Sequence, residues 1–229
     1  MRLSRLRDEV AEVLDEIPID FGGGCSLSKG TVLADLLVSH RITRSVDIGV
    51  YRGRSFFPQA VAHRHTGGVV HGVDPYSSAE AHEVDHPELA EQIDQFVRTT
   101  DFDAVHDTVD AMRHRFGLAE HARIVRATSH DAARVLEGPF GLVHIDGNHD
   151  TAPVMQDVRD YVPLLAPGGF LVMDDISWTS VKPAVDLVST QMTLLYARVD
   201  TFNDYAVFWN GSGRRKHLLR ARVAAAGEG

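Results

Sequence analysis

The sequence predicts an α/β fold, a doubly wound and mostly parallel sheet with helices on both faces. Five short apolar runs, each bounded by Gly, Asp or Pro, alternate with segments of helical periodicity, which is typical of strand–helix–strand units. Two further strand-like runs follow each other near the end of the chain and predict an antiparallel edge. A length of 229 residues with 44% hydrophobic and 24% charged residues suits one large domain over 1–229.

The individual elements follow from the spacing of apolar residues. Spacings of three and four predict an amphipathic N-terminal helix, which together with a second helix forms a helical extension over 1–40. The predicted strands are 45–49, 68–73, 122–126, 142–145, 169–173, 193–199 and 205–209. The predicted helices are 3–17, 31–39, 55–65, 131–136, 154–165 and 181–189.

Three segments interrupt this alternation. Residues 20–30 are glycine-rich and polar, which predicts a loop or hinge. Residues 75–118 are acidic, histidine-rich and helical in pattern, and a connection of that length is either a lid over a binding site or an extra helical layer. Residues 211–229 carry a run of basic side chains and are predicted to be a solvated end.

Charge and cysteine content narrow the classes of function. Lys and Arg number 23 against 32 Asp and Glu, so the net charge is −9, and neither nucleic acid nor an anionic membrane is an expected partner. Cys25 is the single cysteine, so no internal disulfide or cysteine-rich zinc site can form. The N-terminus is charged throughout and no apolar run approaches ~18 residues, so we expect a cytoplasmic protein.

A strand, a two-glycine turn and a helix start follow one another from Asp47 to Ser55. The spacing is Asp47-x-Gly49-x-x-x-Gly53, whereas dinucleotide sites prefer G-x-G-x-x-G without an acid that would repel pyrophosphate. The helix that begins near Ser55 offers free N–H groups. Asp74 ends the next strand, 21 residues after Gly53, near the ~20-residue offset of a ribose-binding acid. S-adenosylmethionine, with a ribose and a cationic end, fits this pattern; an acid-capped turn that binds nothing is the alternative.

Three aspartates follow the fourth and fifth predicted strands. Asp146 ends the fourth, and the pair Asp174 and Asp175 ends the fifth. Because the carboxyl ends of parallel strands meet at one edge of the sheet, we expect the three carboxylates to converge beside the cofactor. Converging carboxylates repel one another unless a cation lies between them, and oxygen ligands suit a hard ion such as Mg²⁺. The alternative is that Asp174 and Asp175 only terminate a strand.

With these motifs the chain resembles class I S-adenosylmethionine-dependent methyltransferases over residues 40–210. Within them it is similar to the Mg²⁺-dependent O-methyltransferases of sugars, of the macrocin, mycinamicin and noviose types, and to the small mycobacterial methyltransferases of methylmannose polysaccharide synthesis. The resemblance implies a Rossmann-like sheet of seven strands with an antiparallel last strand and a helical lid.

The resemblance also implies roles for particular residues. Its cofactor contacts correspond here to Asp47, Gly49 and Gly53 for the methionine moiety, Asp74 for the ribose, and Thr128 and Ser129 for the adenine. Its Mg²⁺ ligands correspond to Asp146, Asp174 and Asp175. Some members place an aspartate base two residues after the first ligand, where this chain has Asn148, and others place a histidine three residues after it, which is His149.

The expected chemistry is proton removal from a hydroxyl that then attacks the methyl group. Mg²⁺ would chelate two neighbouring substrate oxygens, and His149, with an ordinary pKa near ~6.5, would take the proton, with Asp150 as a reserve base. No lysine is expected near these motifs, which argues against a lysine base. The acceptor is predicted to be a mono- or oligosaccharide, such as a mannoside. A catechol or other small phenol, and a non-catalytic nucleotide-binding module, remain the alternatives, and the N-terminal helix could pack on its own domain or form a homodimer.

Overall fold

The computed structural model describes residues 2–21, 23–200 and 203–228. The strands are β1 (Arg44–Ile48), β2 (Val69–Val73), β3 (Ala122–Val125), β4 (Phe140–Ile145), β5 (Leu165–Asp174), β6 (Thr193–Asp200) and β7 (Asn203–Trp209). The helices are α1 (Leu3–Leu14), α2 (Leu27–Ser39), α3 (Phe56–Thr66), α4 (Ala90–Thr99), α5 (Phe102–Arg115), α6 (Ser129–Ala133), α7 (Thr151–Tyr161), α8 (Lys182–Gln191) and α9 (Arg215–Glu228). Short 3₁₀ helices cover Pro87–Leu89 and Val162–Leu164.

The seven strands form one sheet in the order β3-β2-β1-β4-β5-β7-β6. Strands β1 to β5 pair in parallel, whereas β7 runs antiparallel to both β5 and β6. This confirms the predicted α/β class, the Rossmann-like sheet and its antiparallel last strand. Strand order reverses beside β1, and ligands of such sheets gather at the carboxyl ends of the strands next to that point.

Helices cover both faces of the sheet, and alternate residues of each strand enter separate cores. Along β4, Leu142 packs with one core and Val143 with the other, as the period of two requires. The first core is formed by α1, α2, α3, α5 and α9, and the second by α6, α7 and α8. The two-sided burial explains the apolar residues of β4 and of the second half of β5.

One boundary differs from the sequence prediction in a way that matters for the site. Helix α2 begins at Leu27 rather than at residue 31, because the Ser26 hydroxyl accepts a hydrogen bond of 3.1 Å from the Lys29 N–H and caps the helix. The last residues of the predicted loop or hinge, 27–30, therefore form the first turn of α2, which includes Lys29. The predicted hairpin between β6 and β7 includes residues 201 and 202, which lie outside the described residues.

The basic C-terminal segment is a packed helix, so the prediction of a solvated end is wrong. Leu219 and Val223 of α9 are buried in the first core. Arg222 forms an ion pair of 2.7 Å with Asp35 of α2. The count of basic residues did not show that this helix also has a smaller apolar face on which it packs.

The 75–118 insertion is helical, as the sequence predicted. Val105 and Val109 of α5 are buried in the first core, so this helix is part of the covering layer. The segment before α4 instead lies over the carboxyl ends of the strands. Among the described residues, no helix combines the length and the apolar character needed to cross a membrane.

Candidate active site

A glycine allows the ends of β1 and β4 to approach each other closely. Gly49 follows β1 with a φ of +84°, and a Cβ at this position would overlap the carbonyl oxygen of Asp146. Any other residue type would require the backbone to move. The glycine turn therefore lies directly against the first residue after β4.

A cavity opens at this edge, between the strand ends and the insertion. Six predicted site residues line it: Gly49, Asp74, Thr128, Ser129, Asp146 and His149. The other six lie outside its lining: Asp47, Gly53, Ser55, Asp150, Asp174 and Asp175. The insertion contributes Ser77, Glu80, Ala81, Glu83, Phe96 and Phe102. One cavity thus joins the predicted ribose and adenine contacts to the first aspartate of the predicted metal site.

Asp74 is held in place by backbone donors. Its carboxylate accepts hydrogen bonds from the Tyr51 N–H at 2.8 Å and the Tyr76 N–H at 2.7 Å. Burial raises the pKa of Asp74, while these backbone hydrogen bonds oppose the rise. The side chain is positioned to accept hydrogen bonds from hydroxyl groups in the cavity.

Asp47 lies beneath the cavity floor with no exposed surface. Its carboxylate accepts hydrogen bonds from Ser55 and Gln59, both at 2.9 Å, and lies 2.6 Å from Nδ1 of His144. The other ring nitrogen of His144 lies 3.1 Å from Oδ1 of Asp174. Asp47 therefore supports the floor through His144, a residue that the sequence analysis did not select, and its predicted contact with the methionine moiety stays a prediction, as do those of Gly53 and Ser55.

A buried lysine lies within the aspartate cluster, so the expectation that no lysine is nearby is wrong. Nζ of Lys29 is 3.2 Å from Oδ2 of Asp146 and forms a closer ion pair with Oδ2 of Asp174. Burial disfavours the ammonium, but the negative charge of Asp146 outweighs it and raises the pKa of Lys29. Lys29 is 117 and 145 residues distant from these partners in sequence. The signal that could have found it is a single lysine near the start of a mostly apolar helix α2.

The two neighbouring aspartates after β5 face different partners. Asp174 turns toward Lys29 and His144, whereas Asp175 lies 2.8 Å from Nε2 of His149. The backbone at Asp175 has a φ of +51°, in the left-handed region that aspartate tolerates better than most residues. This sharp turn sends consecutive carboxylates to opposite sides of Asp146.

His149 is surrounded by carboxylates. Its Nδ1 lies 2.7 Å from Oε1 of Glu83, and the same oxygen accepts a 2.9 Å hydrogen bond from the His149 N–H. Nε2 lies 2.8 Å from Asp175 and 3.6 Å from Asp146, but neither contact is aligned as a hydrogen bond. Burial disfavours the imidazolium, yet Asp175 and the other carboxylates raise the pKa of His149 well above 6.5. The expected ordinary pKa is therefore wrong for a ring in these surroundings.

The donor set fits a hard divalent ion. Oxygen and imidazole atoms form two overlapping groups that share Asp146, each with its ligand atoms within 4.8 Å of one another: His144, Asp146 and Asp174, and Asp146, His149 and Asp175. Carboxylate oxygens with one imidazole are suitable ligands for Mg²⁺ or Mn²⁺. Burial would raise the pKa of Asp146, but Lys29 and the histidines hold it well below its usual range, so its carboxylate is ionised.

Asn148 and Asp150 hold the insertion over this edge. The Asn148 amide donates hydrogen bonds to the carbonyl oxygens of Glu80 and His82, at 3.0 and 3.2 Å. The Asp150 carboxylate accepts hydrogen bonds from the N–H groups of Val84 and Asp85, the shortest at 2.8 Å. The role of Asp150 as a reserve base stays a prediction, since both of its oxygens are engaged by the insertion.

A second cleft, of about 570 Å³, adjoins the cavity and shares Tyr51 and Phe96 with it. Its walls come from the turn after β1 and from α4 and α5. The ring of Phe21 and the amides of Gln92 and Gln95 also line it. In the part of the chain that the structure describes, neither amide side chain has a hydrogen-bond partner. The cleft therefore combines aromatic surfaces with free neutral donors and acceptors.

The comparison with known families identifies the chain. The family described as methyltransferase domain matches residues 46–176, more than half of the chain, from β1 to just beyond the Asp174–Asp175 pair. The chain belongs to this methyltransferase family. The match covers the glycine turn, Asp74 and the three clustered aspartates. Lys29, which contacts two of these aspartates, lies outside the match.

Solved structures with the same fold include several O-methyltransferases. The methyltransferase superposes on the O-methyltransferase NovP with a TM-score of 0.64 and 13% identity, covering 92% of this chain and 98% of that one. Cofactor-bound Rv0187 from MTB gives 0.60 and 16%, with 92% and 90% covered. TomG from Streptomyces achromogenes, in complex with SAM, gives 0.59 and 15%, with 92% and 89% covered. At these identities the likeness establishes a shared fold.

The methyltransferase has a further carboxyl group in its cavity, besides those of Glu80 and Glu83, that sequence analysis missed. Asp157 of α7 is buried and lines the cavity beside Ser129. Its Oδ1 has no hydrogen-bond partner among the described residues. Burial raises the pKa of Asp157 to about 7, despite a hydrogen bond with Ser129. Its position on an amphipathic helix gave no signal, because a helix pattern does not distinguish a cavity wall from a solvated face.

We expect Asp157→Asn to stabilise the folded chain at alkaline pH relative to wild type. The pKa of Asp157 is about 7 in the folded state, above its ordinary value of 3.8, so its contribution to stability is complete below pH ~4 and is lost as the pH rises through 7. The variant removes this loss, which amounts to at most about 4 kcal/mol at 1.36 kcal/mol per pKa unit. Urea unfolding at pH 5 to 8 measures it, with the exposed Asp186→Asn as control. Parallel pH curves for wild type and Asp157→Asn would contradict the assignment.

Proposed function

We propose that the protein is an S-adenosylmethionine-dependent and Mg²⁺-dependent O-methyltransferase that acts on a hydroxyl group of a sugar. The observation that carries this proposal is the single cavity in which Asp74, Thr128 and Ser129 face the same space as Asp146 and His149. A methyl donor bound by the first three residues would lie beside the carboxylate edge. The solved structures with this fold support the choice of donor, since one is in complex with SAM.

The residues that would hold Mg²⁺ are Asp146 and Asp175, with Asp174 on the buried side. When bound, the ion supplies a positive charge that orients two neighbouring substrate oxygens and lowers the pKa of the one to be methylated. Asp146 is the carboxylate of this set that lines the cavity, so it defines the place where the substrate oxygens lie.

His149 is the proposed base. Glu83 fixes its ring by accepting from Nδ1, which leaves Nε2 directed toward the aspartates and the substrate hydroxyl. Asp146 and Asp175, which raise the pKa of the ring, are also residues that would hold the cation, and its charge would offset theirs and favour a neutral ring that can accept a proton at Nε2. The indole of Trp178 packs 5.0 Å from the imidazole and restricts its rotation. Positioning of the hydroxyl against the methyl group supplies the rest of the acceleration.

The second cleft favours a sugar as acceptor. Pyranose rings present apolar C–H faces and a ring of hydroxyls, which match the aromatic side chains and the free amides of Gln92 and Gln95. The Arg52 guanidinium, which also lines the cleft, is paired with Asp20 at 2.7 Å, so the described lining residues offer no free cation for an anionic ligand. A small phenol is the second candidate, because Phe96 and Phe102 give the cavity a flat apolar wall.

The decisive experiment is methyl transfer from labelled S-adenosylmethionine to mannosides, rhamnosides and catechols. We expect transfer to a sugar, loss of activity in EDTA and recovery with Mg²⁺. Full activity in chelator would exclude the metal, and transfer to catechols alone would replace the acceptor class. Thermal shift with S-adenosylhomocysteine separates the remaining cases: a shift without transfer to any acceptor indicates a binding module, and no shift refutes the donor.

A further inference from the structure

Lys29 lies where a cation is needed when no metal is bound. Its side chain is 3% exposed, and its ammonium is in contact with two of the three carboxylates of the proposed metal site. We propose that Lys29 is a resident counter-cation of this site: it holds Asp146 and Asp174 together before a divalent ion binds, and the ion binds in competition with it. This inference rests on the metal dependence proposed above.

The oxygen atoms of the cluster divide into two sets. The inner pair, Oδ2 of Asp146 and Oδ2 of Asp174, is in contact with Nζ of Lys29. The outer pair, Oδ1 of Asp146 and Oδ2 of Asp175, faces Nε2 of His149 at 3.6 and 2.8 Å. Asp146 belongs to both sets. An ion at either set therefore shares a ligand with the ammonium and lies close enough to be repelled by it.

The fold prevents Lys29 from leaving. Helix α2 is buried along most of its length between α1, α3 and the sheet, and Ser26 fixes its first turn through the Lys29 N–H. Gly30 lies against Pro58 of α3, where a Cβ would come within 3.0 Å of the proline ring. Because the backbone is fixed and the side chain has almost no access to solvent, the ammonium stays beside the carboxylates when an ion arrives.

Removing the ammonium charge should increase the affinity of the site for a divalent ion. Two positive charges a few ångströms apart in a partly buried site repel each other strongly. Lys29→Met keeps the length and apolar character of the side chain but removes the charge. We expect this variant to bind Mn²⁺ at least about tenfold more tightly than wild type, as a lower bound for one uncompensated charge at this distance.

The test is Mn²⁺ binding to the full chain, followed by the electron paramagnetic resonance of free Mn²⁺, without cofactor or acceptor. Lys182→Met is the matched control, since Lys182 is exposed at the start of α8. Lys29→Gln replaces Lys29→Met if the latter does not fold. Equal or weaker affinity in both Lys29 variants, with binding retained by wild type, overturns the inference and leaves the proposed function intact. Binding by the variant but not by wild type supports the inference and contradicts Mg²⁺ dependence. No binding by either protein overturns both.

A second measurement separates competition from simple loss of structure. Without metal, Lys29→Met leaves repelling carboxylates in the inner pair, so its Tm should fall below that of wild type. Saturating Mn²⁺ should raise the Tm of Lys29→Met by more than it raises the Tm of wild type, because the ion replaces the missing charge. Equal metal-induced shifts in the two proteins would contradict the role of Lys29.

Discussion

Asp146→Asn is expected to lower the rate of methyl transfer at least about 100-fold, with little effect on the affinity for S-adenosylhomocysteine. The reason is the position of Asp146, which contacts Lys29 through one oxygen and lies near His149 with the other. The asparagine amide presents N–H donors or a neutral oxygen to the same partners, so the charge shared by both oxygen sets disappears. Initial rates with calorimetric binding of S-adenosylhomocysteine measure the two effects.

The comparison for Asp146→Asn is Asp186→Asn, which removes an exposed carboxylate from α8 and should keep wild-type rates. If Asp146→Asn retained more than about a tenth of the wild-type rate, the carboxylate edge would not be the place of reaction.

His149→Ala should lose turnover by about 10² to 10⁴, the usual contribution of a general base, while cofactor binding survives. The substitution removes the group that contacts Glu83 through Nδ1 and faces Asp175 through Nε2. It also removes the main partner of Glu83. Burial raises the pKa of Glu83, but His149 holds that pKa below its usual range. Single-turnover rates with saturating cofactor measure the chemical step apart from binding.

His149→Gln is the informative companion variant. Glutamine can preserve a hydrogen bond to Glu83 and thus the position of the insertion, but it cannot accept and hold a proton at neutral pH. A base predicts that His149→Gln is as inactive as His149→Ala, whereas a purely positioning role predicts recovery in His149→Gln. Wild-type turnover in either variant would move the assignment to another group.

The order and type of nearly all elements could be predicted because local patterns determine them. Along β4, Leu142 and Val143 alternate between two cores, and the bounding glycines and aspartates mark where pairing stops. Strand β5 begins at Leu165, four residues before the predicted start at residue 169, since its pairing with β4 at Phe140 depends on a neighbouring strand. Helix α9 was missed for a similar reason, because its apolar face is recognised only from the elements on which it packs, α2 and β6.

The convergence of Asp146, Asp174 and Asp175 was also predictable, since parallel strands bring their carboxyl ends to one edge. Their partners were not. Lys29 comes from the start of α2 and Glu83 from the insertion, and neither lies in a motif that a strand pattern can relate to the aspartates. Spacing in the sequence gives positions along the chain, whereas these contacts depend on how α2 and the insertion pack against the ends of the strands.

By itself the sequence determined the α/β class, a mostly parallel sheet with an antiparallel last strand, and the carboxyl-terminal edge at which acids, glycines and His149 gather. Only the tertiary structure decided the charge state of that edge. A carboxylate or an imidazole takes its pKa from groups within a few ångströms, and here those groups are Lys29 and Glu83, brought from distant parts of the chain. Electrostatic interactions depend on distance in space, so the ionisation of the site became visible only once the helices were packed.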